Sequence, residues 1–103
     1  MDVFDGVYKG VNYYIREGYE SRLCGYIKIE EGHPWYGVEY DDVEVECHGG
    51  PTWSDFIDGR TGWWLGFDTN HYDDWDDPKD FSYVENECKK MIDQYIEVLN
   101  NWF

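Results

Sequence analysis

The hydrophobic residues of this chain change their spacing once, and that change constrains the fold more than any other feature. In roughly the first two thirds they alternate with polar residues, which is typical of strands that bury one face. Beyond Pro78 they recur every three or four residues, which is the spacing of one face of a helix. The sequence therefore predicts an antiparallel sheet followed by one long helix.

Four segments carry the strand-like alternation. They are residues 7–16, 22–30, 42–48 and 62–68. Gly18 marks a turn between the first two, and Gly49, Gly50 and Pro51 end the third. The stretch from Thr52 to Thr61 shows no alternation and is predicted to be irregular.

The helical stripe is continuous over about six turns. Its members are Phe81, Val84, Cys88, Met91, Tyr95, Val98 and Trp102, and Asp80 or Ser82 can cap its first turn. Such a stripe also suits a coiled coil, but a neighbouring sheet favours a helix lying across it. The 103 residues suit one domain, 1–103, of the α+β class, with about four antiparallel strands and one long C-terminal helix on one face.

One helix covers one face of a sheet, so the sequence leaves the other face open to interpretation. That face is predicted to carry Tyr8, Tyr14, Tyr26 and Trp64. An uncovered aromatic face is a binding platform or a homodimer interface, unless the loop 52–61 folds over it. The aromatic end Trp102-Phe103 is a second feature compatible with self-association.

The charge excludes the commonest kind of nucleic-acid-binding protein. The net charge is −15, and the 8 basic residues are scattered, so no basic surface for phosphates is expected. A compact polyanion can instead occupy a basic groove on a partner protein, or its charge serves only solubility. No apolar run approaches a membrane span, the N-terminus lacks a secretory pattern, and three unpaired cysteines suit a reducing compartment.

All three histidines lie at predicted chain breaks, where rigid scaffolds commonly display functional groups. They predict a small-molecule pocket with aromatic walls and a few polar contacts. Its candidate residues are His33, Tyr36, His48, Thr52, Trp53, Trp64, Asp68 and His71. The alternative is structural: these imidazoles cap backbone groups in turns.

Two chemistries remain as alternatives for the histidines. His48, Asp68 and His71 are able to hold a divalent metal, although the chain has no HExxH or HxH motif, and no cofactor is expected. His48 and His71 are also able to share acid and base roles in hydrolysis. No catalytic residue is assigned, and a binding protein is favoured over an enzyme.

The tract before the helix is strongly acidic. Asp73, Asp74, Asp76 and Asp77 follow one another without the alternating ligands, the glycine and the closing glutamate of a calcium loop. We expect a solvated loop that presents these carboxylates as an acidic contact surface.

Three sequence blocks occur in a recognisable order. They are Gly32-His33-Pro34-Trp35-Tyr36-Gly37, His48-Gly49-Gly50-Pro51-Thr52 and Gly66-Phe67-Asp68-Thr69-Asn70-His71. With GHPxYG, HGGxT and GFDxxH in this order, the chain resembles a family of small bacteriophage-encoded proteins of largely unassigned function. The resemblance covers about residues 22–100 and implies a phage or prophage origin and work in the host cytoplasm.

The resemblance makes counter-defence the expected role, by association rather than by chemistry. The favoured mechanism is anti-CRISPR-like: the acidic surface blocks a nucleic-acid-binding effector of the host, without turnover. The other is binding or hydrolysis of a small nucleotide-type ligand, such as an immune signal, in the histidine and aromatic pocket. The expected partner is thus a host protein or a small nucleotide, and neither nucleic acid itself nor a membrane.

Overall fold

The computed structural model describes residues 4–102 and contains a five-stranded sheet with an α-helix packed on one face. The strands are β1 (Phe4–Tyr8), β2 (Val11–Glu17), β3 (Leu23–Ile29), β4 (Trp53–Phe56) and β5 (Trp63–Asp68), and the helix is α1 (Phe81–Trp102). The spatial order is β1-β2-β3-β5-β4, and every neighbouring pair is antiparallel. The predicted α+β class with a C-terminal helix is confirmed, with five strands in place of about four.

Helix α1 begins where the capping pattern predicts. Asp80 Oδ1 accepts a hydrogen bond from the backbone N–H of Tyr83 at 2.9 Å, which satisfies one of the free donors of the first turn. The buried part of the stripe packs against the inner face of β2, β3 and β5. The fully buried side chains of this core include Ile15, Ile27, Ile29, Leu65, Phe67, Val84, Cys88, Met91 and Ile92. Trp102, at the end of the stripe, is 63 % exposed.

The predicted strand 7–16 is two strands joined by a tight hairpin. Tyr8 pairs with Val11, and the two residues between them, Lys9 and Gly10, have φ values of 50° and 81°. Two successive residues in the left-handed region match the twist of a two-residue hairpin. The prediction missed this turn because Lys-Gly lacks the Asn or Asp that usually announces it.

The predicted strand 42–48 is wrong, although its alternation is real. Val43 is buried, and Val45 and Cys47 pack against the core, but the segment pairs with no strand within the described residues. The Gln94 side chain of α1 takes the place of a neighbouring strand. Its Oε1 accepts from the Glu46 N–H at 2.8 Å, and its Nε2 donates to the Glu46 carbonyl at 2.8 Å.

The missing strand lies in the segment predicted to be irregular. Residues Trp53–Phe56 form β4 and pair with β5 in the register Trp53 to Gly66 through Phe56 to Trp63. A four-residue edge strand containing Ser54 and Asp55 carries little hydrophobic alternation, so no local pattern predicts it.

The second face of the sheet carries a buried aromatic cluster rather than an open platform. Tyr14, Tyr26 and Trp64 are buried there, with the Tyr14 and Tyr26 rings stacked at 4.5 Å. The Arg60 guanidinium lies 4.3 Å from the Tyr14 ring centroid, and Ile57 packs against the same cluster. Both residues belong to the loop after β4, so this loop covers the cluster. Tyr8 does not belong to this face: it packs on the helix side, with its hydroxyl near Asp93.

Candidate functional site

A buried carboxylate stands at the centre of the candidate site. Asp74 is 0 % exposed, and His48 Nε2 lies 2.8 Å from its Oδ1 and 2.9 Å from its Oδ2. The hydrogen-bond geometry favours Oδ2, which also accepts the backbone N–H of His71 at 3.1 Å. Oδ1 is left without a hydrogen-bond donor among the described residues.

Two segments far apart in sequence bring the histidines together. His48 follows the extended segment whose backbone is hydrogen-bonded to Gln94 of the helix, whereas His71 lies three residues after the end of β5 at Asp68. Their ring centroids are 5.6 Å apart. Gly49 makes this approach possible, because a methyl group at that position would overlap the His71 imidazole.

Polar neighbours fix the His48 ring and stabilise the charge of Asp74. The Tyr83 hydroxyl lies 2.8 Å from His48 Nδ1, and Lys79 Nζ lies 3.8 Å from Asp74 Oδ1. Burial raises the pKa of Asp74, but hydrogen bonds from His48 and the His71 backbone, with the His48 and Lys79 charges, outweigh it and lower that pKa. Asp74 is therefore an anion that accepts hydrogen bonds near neutral pH.

His71 has an incomplete set of partners. Its Nε2 is buried and has no hydrogen bond within residues 4–102, and its nearest carboxylate oxygen, Asp68 Oδ1, is 3.5 Å away. Asp68 itself is engaged elsewhere: Thr52 Oγ1 donates to Oδ2 at 3.0 Å, and the Asn70 N–H donates to Oδ1 at 2.9 Å. Asp68 and Thr52 thus lie beside the histidine pair, whereas Asp74 is the carboxylate that contacts both histidines.

His33 does not join the other two histidines. It is 6 % exposed, and its ring stacks on Tyr95 with the centroids 3.9 Å apart. Its Nδ1 accepts the Trp35 N–H at 3.0 Å, and its Nε2 lies 2.9 Å from the Tyr95 carbonyl. This is the structural alternative that the Gly-His-Pro turn left open, so His33 is part of the core.

A cleft of about 550 Å³ adjoins the histidine pair on the other side of Asp68. It lies at the end of the sheet where β2 turns into β3. Among its lining residues are Arg16, Arg22, Tyr26, Trp53, Asp68 and Asn70. Trp53 packs edge-on against Tyr26 at 5.5 Å.

Two of the predicted pocket residues lie elsewhere. Tyr36 is half-buried and packs near Phe56, with the ring centroids 6.1 Å apart. Trp64 is buried in the aromatic cluster, where its Nε1 donates to the Thr61 carbonyl. Neither residue is among those that line the cleft.

The acidic loop divides into one buried and three exposed carboxylates. Asp73, Asp76 and Asp77 are exposed, as predicted for a contact surface, but the placement of Asp74 in that surface is wrong. Its side chain turns inward because His48, the His71 backbone and Lys79 supply the partners that a buried carboxylate requires. Tyr72 and Trp75, which adjoin these exposed acids in sequence, are 80 % and 58 % exposed.

Sequence reasoning missed two members of the site, Asp74 and Tyr83. Asp74 stands in a run of aspartates that no local pattern separates. Tyr83 follows the helix cap, and its place beside the stripe gave no sign of a contact with His48, 35 positions away. His71 and Asp74 are three positions apart on one turn, and Asp74 accepts the His71 N–H. That spacing is the sequence signal by which the pair could have been identified.

Comparisons of the chain with protein-family models, with curated proteins and with solved structures give no significant match. Within residues 4–102, α1 is too polar to cross a lipid bilayer and no other helix has the length to do so.

Proposed function

We propose that this protein binds a small nucleotide-type ligand in the cleft between the ends of β2, β3 and β5, without turning it over. A volume of about 550 Å³ is in the range of small-molecule sites. The cleft combines an aromatic wall, two arginines and polar acceptors, and this set matches the base, phosphate and sugar of a nucleotide.

The observation that carries the proposal is the pair of arginines at one cleft of a chain with a net charge of −15. The sequence suggested that basic residues act singly, but Arg16 and Arg22 line the same cleft. Arg22 donates to the Asp74 carbonyl at 2.7 Å and to the Trp75 carbonyl at 3.3 Å, and Arg16 donates to the Glu17 carbonyl at 3.1 Å. These bonds use only part of the five donors of each guanidinium.

The wall and the floor of the cleft supply the remaining contacts. Trp53 offers a partly exposed indole beside Tyr26, and stacking on an aromatic ring is a common way to hold a base. Asn70 Oδ1 is buried and lacks a hydrogen-bond partner within the described part of the chain, so a ligand N–H or O–H would satisfy it. The likeness to phage proteins suggests an immune signal of the host cytoplasm as the ligand.

Titration with adenosine monophosphate, a cyclic mononucleotide and a cyclic dinucleotide, followed by calorimetry and tryptophan fluorescence, tests the proposal. We expect one-to-one binding of one probe, weakened roughly tenfold or more in Arg16→Gln and in Trp53→Ala. Trp102→Ala is the matched control, because Trp102 is exposed at the far end of α1. Binding of none of the probes, or equal affinity in Arg16→Gln and Trp53→Ala, would contradict the proposal.

Chromatography of the bound nucleotide tests the non-catalytic part. We expect the probe to be recovered unchanged after prolonged incubation with the protein. Conversion that disappears in His48→Gln would instead assign a hydrolytic role to the histidine pair.

The acidic loop supports a second candidate function, an anti-CRISPR-like blockade of a nucleic-acid-binding effector. Tyr72 and Trp75 are exposed among Asp73, Asp76 and Asp77, and exposed aromatics ringed by charge are typical of protein-binding surfaces. Cleavage assays with a purified CRISPR nuclease test this function. We expect inhibition that weakens steeply with added salt and is lost in Trp75→Ala, whereas inhibition insensitive to salt would contradict it.

A further inference from the structure

We infer that His48, His71 and Asp74 form a binding site for a divalent transition-metal ion, with Zn²⁺ as the best-matched probe. This site is distinct from the nucleotide cleft, so the inference goes beyond the proposed function. Each of the three residues offers one ligand atom, and these atoms all lie within 4.8 Å of one another.

The donor set determines the class of ion. Two imidazoles and one carboxylate are the ligands of many zinc sites that keep a fourth position open. Calcium and magnesium prefer oxygen donors throughout, and copper(I) prefers sulfur. Cys47 adjoins His48 in sequence, but its side chain packs against the core, so the site is one of nitrogen and oxygen.

The orphaned atoms provide a second, independent argument. Asp74 Oδ1 is fully buried and, within residues 4–102, has only ion-pair contacts, with His48 Nε2 at 2.8 Å and Lys79 Nζ at 3.8 Å, and accepts no well-aligned hydrogen bond. His71 Nε2 is also buried and has no hydrogen bond within the same residues. Leaving such groups unpaired is unfavourable, so buried polar atoms usually have a hydrogen-bond partner. A cation bound between the two histidines and Asp74 would give His71 Nε2 the partner that it lacks and would be coordinated directly by Asp74 Oδ1.

Binding an ion would require small changes in opposite directions in the distances between the three ligand atoms. A tetrahedral ion with bonds of about 2.0–2.2 Å holds its ligand atoms about 3.3–3.6 Å apart. His48 Nε2 and Asp74 Oδ1 are already 2.8 Å apart, so an ion inserted there would widen that pair slightly. Of the three residues, His71 would have to close the larger gap.

The surroundings of the three residues are those of a supported metal site. Ionised Asp74 accepts hydrogen bonds only, so His48 donates Nε2–H to it, and the Tyr83 hydroxyl oxygen lies 2.8 Å from His48 Nδ1. An ion at Nε2 would take the place of the Nε2 proton, and an Nδ1–H would then be donated to the Tyr83 oxygen. Tyr83 and the His71 backbone N–H thereby orient His48 and Asp74 as outer-shell partners do.

The first experiment is calorimetric titration of chelator-treated protein with Zn²⁺. We expect one-to-one binding that is weakened roughly tenfold to a hundredfold in His71→Gln, which leaves the His48–Asp74 contact in place. The double variant Asp73→Asn/Asp76→Asn is the matched control, because it removes exposed carboxylates of the same loop. A Zn²⁺ affinity that survives in His71→Gln but falls in the control would place the ion on the exposed loop and overturn the proposal.

The second experiment needs no variant and therefore does not depend on how His71→Gln folds. Zn²⁺ is added to the unmodified protein while the imidazole NMR signals are followed. We expect the His48 and His71 signals to shift with one-to-one stoichiometry, while His33, buried on Tyr95, serves as the internal control. Unchanged His48 and His71 signals, or equal shifts of all three, would overturn the proposal.

Discussion

The His33 imidazole lies flat on the Tyr95 ring, with the centroids 3.9 Å apart and the planes inclined by 5°. This contact joins the loop after β3 to the middle of α1. Both ring nitrogens are engaged: the Trp35 N–H points at Nδ1, so a proton added there would face another donor. Burial lowers the pKa of His33, and the hydrogen bond with the Tyr95 carbonyl opposes this only in part.

His33 should therefore make folding sensitive to acid. Because its pKa is lower in the folded chain than in the unfolded chain, its neutral form contributes stability above about pH 6.5, and that contribution is lost on acidification. The free energy of unfolding should fall relative to His33→Phe by at most about 1.4 kcal/mol per pH unit. Urea unfolding of both proteins between about pH 7.5 and about pH 5 measures this difference. Parallel pH curves would show that His33 does not titrate in this range.

Asp74 should be the most costly aspartate of its loop to neutralise. Asp74→Asn keeps the shape of the side chain but removes the charge of the group that accepts hydrogen bonds from His48 Nε2 and the His71 N–H. A hydrogen bond to a charged group contributes about 1.5–3 kcal/mol to the free energy of unfolding. Asp73→Asn, exposed one position earlier, should change the unfolding free energy by less than about 0.5 kcal/mol. Thermal unfolding of the two variants makes the comparison. Equal effects would mean that Asp74 is not buried in a specific network.

Arg60 should protect the aromatic cluster on the outer face of the sheet. Arg60→Met keeps the aliphatic stem but removes the cation near the Tyr14 and Trp64 rings, so we expect a loss of about 1–2 kcal/mol and easier quenching of Trp64 fluorescence by acrylamide. Asp5→Asn removes only the ion pair of 2.7 Å with Arg60 and should cost less than about 1 kcal/mol. If the two substitutions cost the same, the ion pair rather than the ring contact is what Arg60 contributes.

The three cysteines should react slowly with alkylating reagents in the folded protein. Burial raises the pKa of Cys47 to about 12, with Glu87 adding to the effect, and burial also raises the pKa of Cys24 and Cys88. The thiolate is the reactive species, so iodoacetamide at about pH 8 should label the native chain much more slowly than the urea-unfolded chain. Mass spectrometry counts the labelled thiols. Rapid native labelling of Cys47 would show that its thiol is accessible beside His48.

Local periodicity predicted the elements whose pattern reflects their own packing. The stripe that contains Val84, Cys88 and Met91 is a helix, as its spacing indicates. Of the two predicted caps, Asp80 and Ser82, Asp80 accepts the hydrogen bond of the first turn. The segment around Val45 shows the limit of the same reasoning. Alternation reports an extended chain with one buried side, and the partner of its backbone is Gln94, a residue that no local pattern selects.

The position of a histidine at a chain break predicted the candidate site correctly for two of the three histidines. His48 and His71 follow ordered segments and meet, whereas His33 has the same surroundings in sequence but is held by Tyr95, 62 positions away. Asp74 was misplaced because its neighbours in sequence are also aspartates, and only the fold shows which carboxylate has basic and N–H partners. Contacts between distant residues decide these assignments.

The two hydrogen bonds between Gln94 and Glu46 have a consequence for how the molecule opens. The backbone of the segment leading to His48 is hydrogen-bonded to Gln94 of the helix, and within residues 4–102 the segment pairs with no strand. Its ordered conformation therefore depends on α1. Partial opening that detaches this part of α1 should release His48 while the β1–β2 hairpin stays paired. The Glu46 amide should then exchange its hydrogen with solvent in step with the amides around Gln94, and the two histidines would separate before the sheet unfolds.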